Sequence, residues 1–148
     1  MKTAKRLAGT LLALTLLIGC CATFASATEI QPRASDYFYT YYATCSVSST
    51  GRVSVNAVAK TSAGKSMTEL GVKTIKIQES ANNSTWTTVD TITSSDNSQF
   101  ISSGSNFDKT FAVYSGNTNC YYRCIVTFYA KDASGSESKS YTTNSAHT

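Results

Sequence analysis

From residue 37 onward, apolar and polar positions alternate with a period of two in run after run, and that pattern predicts strands. In "YFYTYYATCSV" (37–47), Tyr37, Tyr39, Tyr41, Ala43, Cys45 and Val47 share an inward face, leaving Phe38 and Tyr42 to pack on the preceding segment or to form an exposed edge. "RVSVNAVAK" (52–60) groups Val53, Val55, Ala57 and Ala59, and "GVKTIKIQES" (71–80) points Ile75 and Ile77 inward. After the turn "ANNS", "TWTTVDTIT" (85–93) returns as a hairpin partner, and "FDKTFAVY" (107–114) follows. "CYYRCIVTFYA" (120–130) aligns Tyr122, Cys124, Val126, Phe128 and Ala130, and "ESKSYTT" (137–143) closes the series. Turn residues at Thr50-Gly51, "SGNTN" and "KDASGS" punctuate the runs. Two connections are longer. "TSAGKSMTEL" offers Met67 and Leu70 as plugs for one end of a core, and residues 94–106 offer Phe100 and Ile101 as a tuck.

No helical period competes over eleven or more residues in this part of the chain. About seven short, turn-punctuated strands predict an all-β fold, a single antiparallel two-sheet sandwich. The runs differ too much from one another to be an internal repeat. Composition agrees: after residue 27 Leu occurs only at Leu70, and Val, Ile, Tyr, Phe and Thr take its place, the types that suit a pleated, half-buried surface.

The N-terminus reads differently. Lys2, Lys5 and Arg6 precede an apolar run from Leu7 to Phe24, and small residues follow, which is the pattern of a secretory signal. "ASA" at 25–27 predicts cleavage after Ala27. "LIGC" at 17–20 resembles a lipobox, in which Cys20 would carry a lipid anchor at the cell surface. The run is near the lower length limit for a bilayer span, and no basic stop-transfer cluster follows it. The expected organisation is therefore a signal peptide over 1–27, a polar lead over 28–36, the β-domain over 37–144 and a tail over 145–148. The expected location is extracellular, with lipid anchoring as the alternative. Three of the 13 basic residues leave with the signal, so ten face nine acidic ones. That near-neutral balance gives no electrostatic footprint for nucleic acid or an anionic membrane.

Two stretches carry a family resemblance. "IKIQESANNSTWTTVDT" resembles the C–C′ hairpin of fibronectin type III and immunoglobulin-like domains, and "YYRCIVTFYAKDASGSES" resembles their F strand and F–G turn. The whole order is similar to A-B-C-C′-E-F-G. The Leu and Pro usual before the F strand and the early Trp of fibronectin type III domains are absent, and Cys45 to Trp86 is too long for an antibody-type Cys–Trp–Cys frame. "EIQPRAS" with this domain behind it also resembles small secreted proteins of uncharacterised function from Gram-positive bacteria. The resemblance implies a β-sandwich and no particular activity.

Cys45, Cys120 and Cys124 remain after the signal, all of inward parity. An oxidising compartment favours one disulfide among three such residues. Cys120 and Cys124 are four residues apart on one strand, about 13 Å when extended, too far to bridge. Cys45 then pairs with Cys124 or Cys120. The turn after the first strand and the start of the 120–130 strand share a pole, which favours Cys124. Closing that loop, from residue 45 to residue 124, would add about 4 kcal/mol on the chain-entropy account. A redox or linkage thiol is the other reading of the odd cysteine.

Site chemistry is sparse. The one histidine, His147, lies near the C-terminus in a tail expected to fray, so a Ser-His-Asp or Cys-His centre has no base. Zinc and haem ligation lack ligands, and no Gly-rich phosphate loop occurs. Glu69, Glu79, Asp90 and Asp96 read as solvated turn and edge carboxylates rather than as a glycosidase pair. Asn82 and Asn83 each begin a glycosylation sequon, but read as turn residues. No catalytic, cofactor or metal site is expected.

What remains is a surface. Trp86, with Tyr121, Arg123 and Tyr129 on the outward face of the 120–130 strand and Lys76 beside them, forms a candidate binding face; Ile125, Thr127, Thr74 and Gln78 would complete it. The expected function is a secreted, non-catalytic interaction module for a protein or glycan. The alternative is a carbohydrate-binding sandwich that stacks sugars on Trp86, Tyr121 or Tyr129. Self-association through the tyrosine-rich first strand is a further, weaker expectation.

Overall fold

The computed structural model describes residues 35–62 and 65–148. The signal segment, both cleavage sites, Cys20 and the lead through residue 34 lie outside the described residues.

Nine strands form among the described residues: β1 (Phe38–Val47), β2 (Arg52–Thr61), β3 (Met67–Ser80), β4 (Thr87–Thr93), β5 (Ile101–Gly104), β6 (Asn106–Ser115), β7 (Tyr121–Asp132), β8 (Gly135–Thr142) and β9 (Ala146–His147). They make two antiparallel sheets, one of order β1-β2-β6 and one of order β4-β3-β7-β8. Strand β5 joins the second sheet beside β3, and β9 joins it beside β7. The expected two-sheet sandwich is present. The seven expected strands are there, with ends displaced by a few residues, and β5 and β9 are additions.

The period-two pattern explains the core. Val53, Val55, Ala57 and Ala59 of β2 face Ile75 and Ile77 of β3 and Tyr122, Cys124, Val126, Phe128 and Ala130 of β7 in one buried cluster. Met67 and Leu70 belong to β3 itself rather than to a loop, and both are buried. Phe100 ends a single 3-10 turn, Ser98–Phe100, capped by the Asn97 side chain. Its ring is fully buried, 4.6 Å from that of Phe111, and a side chain of this size contributes about 1.5–3 kcal/mol on burial. Gly71 permits this tuck. With φ at +154° it lies against the Phe100 carbonyl, where a Cβ would collide.

β1 departs from strict alternation. Phe38 is buried in the core, whereas Tyr39 is 79% exposed. The reason is a register shift against β2 between Phe38 and Thr40: one extra residue moves every side chain on its far side to the opposite face. The inward assignment holds for Ala43 and Cys45, Tyr41 is half-buried, and Tyr42 is exposed as expected.

At one pole the β1–β2 and β6–β7 turns meet, with the Gly116 N–H donating to the Gly51 carbonyl at 2.9 Å. The buried Tyr122 ring closes this pole. Its hydroxyl donates to Glu79 at 2.5 Å, with the Asn117 carbonyl as a second acceptor at 3.0 Å. Burial, then the Glu79 carboxylate, pushes the Tyr122 phenol well above the ordinary tyrosine range.

Candidate binding face

The outward side of the second sheet is built by the neighbour relations of β3 and β7. Gln78 lies opposite Arg123, Lys76 opposite Ile125 and Thr74 opposite Thr127. β4 extends the face, with Thr88 opposite Gln78 and Thr91 opposite Lys76. β8 extends it on the other side, setting Thr142, Ser140 and Ser138 opposite Ile125, Thr127 and Tyr129. A hydroxyl-rich surface thus surrounds a few aromatic and basic groups.

Arg123 is held from two directions. Its guanidinium carbon lies 4.3 Å from the centroid of the Trp86 ring, and its Nε donates to Gln78 Oε1 at 2.8 Å. Gln78 in turn donates through Nε2 to the Thr88 hydroxyl at 3.3 Å. The ion pairs among the described residues, Lys131–Glu69 at 2.9 Å and Lys139–Glu137 at 2.6 Å, leave Arg123 without a carboxylate. Its terminal amino groups make no hydrogen bond to the described residues, so a planar fork of donors is fixed on the sheet surface without a partner among them.

The structure brings all five candidate residues to this face, at three places. Trp86, Arg123 and Lys76 sit towards the β3–β4 side. Tyr129 lies farther along β7, with the Lys73 ammonium 4.6 Å from its ring. Tyr121 packs on His147, with ring centroids 4.3 Å apart. Trp86, Tyr121, Arg123 and Tyr129 are half-buried, and Lys76 is exposed. Sequence reasoning missed Lys73 and His147. Lys73 is the extra residue at a register shift between Val72 and Thr74. His147 belongs to a terminus that pairs with Tyr121 and Tyr122 instead of fraying.

The carboxylates set aside as solvated surface groups are each engaged: Glu69 with Lys131, Glu79 with Tyr122, Asp90 with the Thr91 N–H and Asp96 with Thr93. Asn82 caps its turn by accepting from the N–H groups of Ser84 and Thr85, at 3.0 and 2.9 Å, and Asn83 takes a left-handed φ of 57°. Among the described residues no cluster of three or more metal-ligating side chains occurs, and no helix is long and apolar enough to cross a membrane.

Cys45, Cys120 and Cys124 are free thiols in this structure. Cys45 on β1 and Cys124 on β7 are buried and interact directly across the two sheets, while Cys120 is half-buried. The Cys124 S–H stabilises a Cys45 thiolate and lowers its pKa; that contact and burial hold the second proton on Cys124 far above the ordinary thiol range.

No family model, curated protein or solved structure matches this chain.

Proposed function

We propose that this chain is a secreted, non-catalytic interaction module on a fibronectin type III or immunoglobulin-like sandwich, and that it binds a carboxylate-bearing protein segment on the outer face of the larger sheet. Two features support the scaffold reading. The orders β1-β2-β6 and β4-β3-β7-β8 correspond to A-B-E and C′-C-F-G. Tyr122, two residues before Cys124, bonds through its hydroxyl to a backbone carbonyl five residues upstream, as the tyrosine of the corner before strand F does in such domains. The signal-like N-terminus supports export, with a lipid anchor at Cys20 as the alternative route to the cell surface.

The observation that carries the binding reading is Arg123, clamped by Trp86 and Gln78 with its outer donors unpaired among the described residues. A guanidinium already fixed in place loses little side-chain entropy when a carboxylate arrives. Lys76, two pairs along the ladder and on the same face, adds positive potential. Stacking of neutral sugars is less favoured, because Trp86, Tyr129 and Tyr121 already have Arg123, Lys73 and His147 against their rings.

Binding to immobilised poly-L-glutamate and to a neutral glucan tests this reading. Retention on the polyanion that falls at least tenfold in Arg123→Ala, but not in Lys60→Ala on the other sheet, supports it. Retention on the glucan alone, lost in Trp86→Ala, would establish the carbohydrate reading instead.

A further inference from the structure

We propose that Cys45 and Cys124 form the one disulfide of the exported protein, a bridge between the two sheets, and that Cys120 stays a free thiol. The sequence favours Cys124 over Cys120 as the partner of Cys45. The structure adds what holds each cysteine.

The dipeptide Thr143-Asn144, which follows β8, clamps both members of one pair. Thr143 donates its N–H to the Cys124 carbonyl, and its hydroxyl accepts from the Cys124 N–H, both at 2.9 Å. Asn144 does the same for Cys45: its Oδ1 accepts from the Cys45 N–H and its Nδ2 donates to the Cys45 carbonyl, both at 3.0 Å. A side-chain amide thus takes the place of a neighbouring strand at that point of β1. Two adjacent residues therefore fix the backbones of cysteines that belong to different sheets. Both side chains are buried in the same core cluster between the sheets. Cys120 is held by a single longer contact, its carbonyl accepting from the Thr148 N–H at 3.4 Å. It precedes β7, is half-buried, and is four residues from Cys124 on an extended chain, beyond bridging distance.

The chemistry is thiol–disulfide exchange with an oxidised carrier of the exporting compartment, a protein or small-molecule disulfide. The Cys45 thiolate attacks one carrier sulfur and releases the other as a thiol. Cys124 then attacks the mixed disulfide at the Cys45 sulfur and releases the second carrier thiol. The two cysteines lose two electrons and two protons, and the carrier disulfide gains them as two thiols. Neither thiol is accessible in the folded domain, so the exchange precedes the docking of β1 on β7. The bridge then ties an outer strand of one sheet to a central strand of the other.

The test uses the full chain, exported by its host and collected from the medium or the cell surface. The protein is unfolded in alkylating reagent, with and without prior reduction, and then digested and mapped by mass. The expected result is a linked Cys45–Cys124 peptide pair, with Cys120 alkylated without reduction. In Cys120→Ala the linked pair persists; in Cys45→Ala, Cys124 is alkylated without reduction. Cys45 and Cys124 both alkylated without reduction, or Cys120 found in a link to either, would overturn the proposal. The outcome is independent of whether the outer face binds a carboxylate.

Discussion

The Tyr122 hydroxyl lies 2.5 Å from Glu79, so a ring buried at one pole of the sandwich is anchored by a carboxylate at the end of β3. Removing the hydroxyl leaves the ring packed but takes away a hydrogen bond to a charged group, worth about 1.5–3 kcal/mol. Tyr122→Phe should lower stability by roughly that amount at neutral pH.

The same contact predicts a pH dependence. The folded-state pKa of Tyr122 is raised above the unfolded value, by burial first and Glu79 second. An acid of this kind contributes its full stabilisation below the unfolded pKa, about 10 for tyrosine. Above that pH the unfolded chain loses the proton first and stability falls. The difference between the wild type and Tyr122→Phe in urea denaturation should therefore shrink between pH 9 and pH 11. A constant difference across that interval would show that the hydroxyl does not titrate differently in the two states.

Gly116 should tolerate no side chain while Tyr122 is present. A Cβ there would meet the Tyr122 hydroxyl and the adjoining ring carbons. Overpacking of this sort costs about 1–3 kcal/mol. Gly116→Ala should show that loss in the wild-type background and much less of it beside Tyr122→Ala, a coupling that a double-mutant cycle reads directly.

The first strand provides a test of register. Phe38 is in the core and Tyr39 in solvent, so Phe38→Ala should cost about 3–5 kcal/mol and Tyr39→Ala about 0.5 kcal/mol or less. Thermal denaturation of the two variants distinguishes this order from its reverse, which an uninterrupted alternation would produce.

That strand also shows where reading the sequence stops. Period-two alternation located the seven main strands, the turns and most of the core, because burial on one face imposes it directly. It has no means of seeing a bulge, since one inserted residue changes parity without changing composition. Phe38 and Tyr39 exchanged places for this reason. Lys73 escaped notice for the same reason, because a register shift in β3 aims it at Tyr129. The candidate face was legible as the outward residues of β7, along with Gln78 beside Arg123. The clamp on Arg123 was not, because it depends on Trp86 meeting that side chain across a strand far away in sequence. Phe100 was legible as a tuck but its route was not, since β5 forms only where Gly71 lets the backbones approach. The last two strand residues, Ala146 and His147, carry no periodic signal at all; their order comes from pairing with Tyr121 and Tyr122.

The central claim is that the outer face of the larger sheet receives a carboxylate at Arg123. Side-chain NMR during titration with a short poly-L-glutamate tests it most directly, read at the Arg123 Nε–H and the Trp86 indole N–H. Saturable shifts at these two positions, lost as salt is raised and absent in Arg123→Ala, are the predicted result. No shift at either, or shifts confined to β1, β2 and β6, would contradict the claim.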